Sequence, residues 1–203
     1  MTSRAEENRN TVSSTPAGSP TGSTRTPDVR VRLATVDDAE AIEQIRIATW
    51  QATYRGLFPD ALLDRMRPNA DRRRDRLREF SESQTEFCFV AEAAGKVVGF
   101  AIGCPERTGD PTYKGEVAAI YVLPTHQARG LGRALIRESV RELAAHGMTS
   151  LLIWVLRENQ IGRTFYKRLG GVPRREKPVD MPGIPEGYVE VAYCWDDTAP
   201  LLA

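Results

Sequence analysis

The sequence predicts a single folded domain of the mixed α/β (α+β) class, preceded by a tail. Two patterns carry this prediction: short runs with an apolar side chain at every second residue, and longer runs with one at every third or fourth. The third observation is their order, in which strand-type and helix-type segments alternate along one chain of 203 residues. That length suffices for one domain with a substantial core.

Residues 1–28 are dominated by Ser, Thr, Pro and Gly, and are expected to form a disordered N-terminal tail. The folded domain is expected to span residues 29–197, with 198–203 as a short C-terminal tail. Val29, Val31 and Leu33 alternate with Arg30 and Arg32, which predicts a strand. Thr35 and Asp38 mark a helix start, and Ile42, Ile45 and Ala48 continue it to about Gln51. Pro59 and Asp60 open a second helix through Leu62, Leu63 and Met66. Its continuation carries the basic run Arg72, Arg73, Arg74, Arg76 and Arg78. Asp71, Asp75 and Glu79 are interleaved with those arginines, so the run reads as a solvated helix face and not a nucleic-acid patch.

Phe87 to Ala93, a turn at Ala94-Gly95, and Lys96 to Gly103 read as a hairpin. Gly115 to Leu123 is a further strand, ended by Pro124. Leu131, Leu135, Ser139 and Leu143 recur every four residues, which predicts a long amphipathic helix closed by Gly147. Ser150 to Leu156 is a continuous apolar run, as in a strand covered on both faces. Ile161 to Leu169 is a short helix stopped by Gly170-Gly171, and Tyr188 to Trp195 is a last strand. Glu106 to Lys114 and Pro178 to Gly187 read as loops.

Composition excludes several classes of function. The formal net charge is +1, so no bulk field favours nucleic acid or an acidic membrane surface. No apolar run approaches the roughly 20 residues that span a bilayer, and the N-terminus lacks the apolar core of a signal peptide. Cys88, Cys104 and Cys194 form no CxxC pair, so neither a zinc ribbon nor a disulfide framework is expected, and a cytoplasmic location fits best. His126 and His146 have no partners at metal-ligand spacing, so no metal is expected.

The chemistry concentrates between Tyr121 and Leu135. A strand runs into a turn and then into a helix whose start is marked by Gly130 and Gly132. Helix N-termini present unpaired N–H groups and partial positive charge, and therefore bind phosphates. Arg129 and Arg133 add donors suited to phosphate oxygens. A Walker GxxxxGK[ST] loop is absent. A dinucleotide fingerprint is only half met, because Leu135 stands where the third glycine belongs and Pro124 to Arg129 separate the strand from Gly130.

Gln127-Ala128-Arg129-Gly130-Leu131-Gly132 resembles the Q/R-x-x-G-x-G/A signature of the GCN5-related N-acetyltransferase (GNAT) family, and Ile120 to Pro124 resembles that family's fourth strand and its exit. The resemblance extends from about Val29 to Trp195. It implies a mixed, mostly antiparallel sheet flanked by helices, whose splayed central strands hold acetyl-CoA. Backbone groups near Tyr121 and Val122 would then pair with the pantetheine arm. Gln127, Arg129, Gly130, Gly132, Arg133 and Ala134 would form the pyrophosphate loop, and Asn159 would contact the cofactor arm. Tyr166 occupies the place of the family's general acid. Asn159 and Tyr166 are seven residues apart, so they share one helix face.

The implied reaction is direct transfer from acetyl-CoA, a co-substrate, to the primary amine of a small molecule or peptide. Glu116 is the candidate base, or else an exposed strand-end acid. Trp50 to Pro59 either shapes the acceptor cleft or forms a lid on the core. A non-catalytic acyl-CoA-binding sensor would need the Gln127 turn but not Tyr166. A homodimer is left open as an assembly.

Overall fold

The computed structural model describes residues 29–203, so the expected N-terminal tail at 1–28 lies outside the described residues. Seven strands form one sheet in the order β1-β2-β3-β4-β5-β7-β6. They are β1 (Val29–Leu33), β2 (Phe87–Ala93), β3 (Lys96–Pro105), β4 (Gly115–Val122), β5 (Leu151–Leu156), β6 (Val172–Pro178) and β7 (Val189–Trp195). Every neighbouring pair is antiparallel except β4 and β5. The expected mixed, mostly antiparallel sheet is therefore present.

Helices α1 (Ala39–Tyr54), α2 (Asp60–Asp64), α3 (Ala70–Glu82), α4 (Leu131–Ala145) and α5 (Gln160–Arg168) complete the element set. One face of the sheet packs on α1 and α3, where Ile42, Ile45, Leu77 and Phe80 meet Cys88, Val90 and Phe100. The other face packs on α4, whose Leu131, Leu135, Ile136, Val140 and Leu143 all lie in the larger core cluster. The two faces follow from alternation along β2, with Cys88 and Val90 on one side and Phe89 and Ala91 on the other. The β2–β3 turn has positive φ at both Ala94 (50°) and Gly95 (73°), the backbone that a two-residue hairpin requires.

Three expectations need correction. The helix expected from Pro59 onward is two helices, because Pro68 interrupts the backbone ladder. Asn69 then caps α3, its side-chain oxygen accepting from the Arg72 N–H at 3.0 Å. A seventh strand, β6, runs where no strand was read. Its sequence, VPRREKP, carries two prolines and four charges and has no apolar alternation. It pairs only with β7, at the sheet edge, where such residues discourage further strand addition. Residues 198–203 are not a free tail. Ala199–Leu202 forms a 3-10 turn, the Thr198 N–H donates to the Thr149 carbonyl at 2.9 Å, and Leu201 joins the α4-side core.

Among the described residues no helix is long and apolar enough to cross a membrane. Leu201 is 5% exposed. Leu201→Ala is expected to destabilise the fold by about 2–3 kcal/mol through lost burial and a residual cavity, read as a lower urea midpoint at unchanged slope.

Candidate active site

The site begins where the sheet comes apart. β4 and β5 share only the parallel pairs Gly115↔Leu151 and Glu116↔Leu152. Beyond them β4 stays paired with β3, and β5 with β7, along their lengths. Part of the cause is local to β4. The β3–β4 register shifts so that Gly103 faces Val117 while Ile102 faces Ala119, which leaves Ala118 as an extra residue. A bulge bends its strand and raises its twist, and so turns β4 away from β5. The β5-facing backbone of residues 117–122 is left without a strand partner.

At the open end of this V lies the loop from Leu123 into α4. The Gln127 amide side chain donates to the Val122 carbonyl at 3.0 Å, so Gln127 ties the loop to the end of β4. Ala128 (φ 59°) and Gly130 (φ 83°) both take left-handed backbone. For alanine that conformation costs about 1 kcal/mol or more, and such strain tends to mark ligand loops. Successive amides in this geometry form a concavity suited to anions. Among the described residues, the N–H groups of 128–133 donate to no backbone carbonyl. Space beside Gly130 is open, since an added Cβ there would meet nothing within 4 Å. Gly132 serves a different purpose, because its missing Cβ would sit 3.1 Å from the Phe165 ring and would hold α4 off α5. Arg129 and Arg133 are exposed and have no carboxylate partner among the described residues. Ala134 stands one turn in, its N–H bonded back to the Gly130 carbonyl at 3.0 Å.

Three phenols converge on the V. Tyr121 accepts from the Trp50 indole N–H at 2.9 Å. Burial pushes the Tyr54 phenol far up, and Tyr121 and Tyr166 add to the effect, so the three rings lie within electrostatic reach. Tyr166 is 6% exposed, and its ring packs against Phe165, Tyr193 and Trp195. Burial, and then Tyr121, raises its pKa well above the ordinary phenol value, so it keeps its proton at neutral pH. Asn159 caps α5, its side-chain oxygen accepting from the Gly162 N–H at 2.9 Å, and it also lies beside Tyr54.

Three carboxylates on this face of the sheet have three different fates. Glu116 is 1% exposed, and both its oxygens accept from Arg107, at 2.6 Å from Nη2 and 3.1 Å from Nε. It is therefore not an exposed strand-end acid. Both its oxygens are committed to Arg107. The pair instead fastens the Glu106–Lys114 loop to the strand where β4 and β5 last touch. Glu43, on α1, is 4% exposed and accepts from Arg46 at 2.8 Å and Arg73 at 2.7 Å. Glu190, on β7, is half-buried, and its ion-pair contact among the described residues is Lys177, at 3.8 Å. Burial raises its pKa above the usual carboxylate value, Lys177 opposes this, and Glu116 adds to it.

Sequence reading missed two of these groups. Arg73 was grouped with a solvated run, and its neighbours do pair at the surface, Arg74 with Asp71 and Arg78 with Asp75. Arg73 itself turns inward at 15% side-chain exposure. The signal was its spacing, four and seven residues before Leu77 and Phe80 on the buried face of α3. Glu190 alternates with Val191 along β7, which puts it on the α1 face with Ala192 and Cys194.

An open cavity of about 400 Å³ lies on that face, between α1, α2, β3, β4 and the 179–187 loop. Trp50, Phe100, Tyr121 and Met181 line it together with Arg46 and Arg73. Within Trp50–Pro59 the side chains divide between a cavity wall and the core. Trp50 faces the cavity, while Phe58 is buried between Tyr54 and Tyr188. The Pro178–Gly187 stretch supplies cavity wall through Met181 and Pro182, whereas Glu106–Lys114 does not reach it.

Comparison with known proteins agrees with this geometry. The model of the acetyltransferase (GNAT) family matches residues 45–171. An uncharacterised N-acetyltransferase of Bacillus subtilis, YuaI, is 30% identical over 174 residues, covering 85% of this chain and 96% of that protein. Among solved structures, the PaiA N-acetyltransferase of Thermoplasma acidophilum in complex with coenzyme A aligns with a TM-score of 0.63 at 19% identity, over 82% of this chain and 99% of that one. YncA from Salmonella typhimurium, with acetyl-CoA, also aligns at 0.63, with 21% identity over 82% and 92%.

The Glu43 triad makes stability depend on pH. Burial alone would raise the Glu43 pKa, but the hydrogen bonds from Arg46, Arg73 and the Asn69 N–H outweigh it and hold the carboxyl at about 2, against 4.5 for the free side chain. A depressed pKa stabilises the fold above the unfolded value, and that stability is lost as pH falls toward the folded one. Between about pH 5 and pH 2 the wild type is expected to lose roughly 3 kcal/mol more than Glu43→Gln, measured by urea unfolding across that range.

Proposed function

Because the chain belongs to the acetyltransferase (GNAT) family, we propose that it transfers the acetyl group of acetyl-CoA to the primary amine of a small molecule by direct attack in a ternary complex. The parting of β4 from β5 after two residue pairs, with the unpaired amides of 128–133 at its open end, carries the reading. A long thin cofactor needs a slot in the sheet for its arm and an anion site for its pyrophosphate. Arg129, Gly130 and Arg133, together with those amides, take the pyrophosphate. The free edge of β4 around Tyr121 takes the arm. Gln127 and Asn159 brace the two loops that flank the slot.

The chemistry requires a neutral amine, a stabilised oxyanion and a protonated leaving thiolate. Glu190 is the base best placed by its environment. Its raised pKa and loose pairing with Lys177 suit it to accept a proton from an ammonium group. The amine nitrogen then forms a bond to the thioester carbon, and the oxyanion is held by free backbone N–H groups of β4. As the tetrahedral intermediate collapses, the carbon–sulfur bond breaks and the nitrogen loses its second proton. Tyr166 protonates the departing sulfur and recovers a proton from solvent. The products are the acetamide, coenzyme A and one proton. Glu116 is left to its structural pairing with Arg107.

Gly130→Glu is expected to raise the Kd for coenzyme A by more than about 100-fold, equivalent to some 3 kcal/mol, since it sets a negative charge in the anion mouth. Gly130→Ala, with open space around its Cβ, should lose far less; equal losses by calorimetry would remove the anion site. Tyr166→Phe is expected to lower kcat roughly 100-fold with little change in the KM for acetyl-CoA, measured by thiol release. Unchanged turnover in that variant would take Tyr166 out of the mechanism. Bound coenzyme A without transfer to any amine would favour a non-catalytic acyl-CoA sensor.

A further inference from the structure

The acceptor cavity has a charge pattern that the transfer reaction does not require. Its only charged lining side chains, among the described residues, are Arg46 and Arg73. Both are anchored from behind by one carboxylate, Glu43, which also accepts from the Asn69 N–H at 3.2 Å. Two guanidinium groups against one carboxylate leave a net charge of one positive unit. Each arginine binds Glu43 through Nε and Nη2, so each keeps an Nη1 with no acceptor among the described residues. Arg73 also stands over the Phe100 ring, 5.9 Å from its centre, which fixes the guanidinium above β3. Both arginines act on the Tyr121 hydroxyl through space, as does Glu190.

Strand order separates these charges. The cations lie over β3, the free edge of β4 follows, and Glu190 stands on β7 beyond β5. The acceptor face is therefore polar across the slot, positive on one side and negative on the other. A ligand that matches the arginine end carries an anion, and its amine must reach the free edge of β4 next to that end. The remaining cavity wall is largely apolar and includes Trp50, Phe100 and Met181. A simple amine would leave the arginine end facing nothing, at the desolvation cost of an unpaired charge.

Resting on the acetyltransferase reading, we infer that the acceptor is a small amino acid with an apolar side chain. Its carboxylate binds the free Nη1 groups of Arg46 and Arg73, and its amine lies at the free edge of β4 beside Tyr121. Glu43 is a positioning residue that holds the two guanidinium groups in one plane of approach.

The test uses matched pairs that differ only by the carboxylate: L-methionine with 3-(methylsulfanyl)propylamine, L-leucine with 3-methylbutylamine, and L-phenylalanine with 2-phenylethylamine. Binding to the full chain saturated with coenzyme A is measured by calorimetry, and acetyl transfer by thiol release. At least one amino acid is expected to bind tenfold or more tightly than its decarboxylated partner. Arg46→Met should abolish that preference while the plain amine binds as before, and Arg46→Lys, which keeps a cation, should retain most of it. A purely structural Arg46 would weaken both members of a pair alike. The inference is overturned if no amino acid binds more tightly than its partner, or if Arg46→Met leaves the preference intact. Preferential binding without acetyl transfer would remove the proposed activity but not the carboxylate site. Transfer to plain amines with no preference would do the reverse.

Discussion

The parallel contact between β4 and β5 is held to two residue pairs, and most of the site follows from that restriction. β5 cannot swing toward β4 because it is committed to β7 along all of Leu151–Leu156. β4 cannot swing toward β5 because β3 holds it up to Val122 and the extra residue at Ala118 turns it outward. An unpaired strand edge inside a domain normally costs the hydrogen bonds it fails to make. Here that edge opens toward the amides at the start of α4. One arrangement therefore sets an open strand edge next to a group of unpaired backbone amides. Glu116 sits at the vertex, bound to Arg107, so the point of divergence is itself fixed by a buried carboxylate under a half-exposed arginine.

The three carboxylates on the α1 face show how partners decide chemistry. They share a residue type and a buried or half-buried setting. Glu116 meets one arginine on both oxygens, Glu43 meets two arginines, and Glu190 meets a single lysine at the limit of an ion pair. Glu190 alone has no arginine paired to it among the described residues, and burial raises its pKa. Counting acids near the cleft would not separate these cases, whereas following their donors does.

Much of the fold was legible because it is written in short-range periodicity. The four-residue recurrence of Leu131, Leu135, Ser139 and Leu143 marks α4, and Ala94-Gly95 marks the tightest hairpin. The turn before α4 was legible because Gly130 answers a local backbone demand. Long-range contacts were not legible. β6 has no apolar alternation, since an edge strand dense in proline and charge is shaped by its neighbour and by the need to stay unpaired on its far side. Arg73 is one of five arginines between residues 72 and 78, and nothing within that run reveals that Glu43 lies beneath it. Glu116 carried the right residue type at a strand start, but its Arg107 partner reaches it across a loop whose path the sequence does not specify. Leu201 looked like a terminal residue, and its place against α4 depends on the completed sheet.

The strand order also dictates when the domain can close during synthesis. β1 to β4 join neighbours already made, so that half of the sheet is able to assemble as it leaves the ribosome. β5 must wait, because its full-length partner is β7, the last strand of the sheet to be made. Until then β5 has only its two-pair contact with β4 and its other side is bare, the kind of edge that recruits stray chains. The nascent domain therefore depends on its last strand, and a chain cut before β7 would keep a sticky open flank.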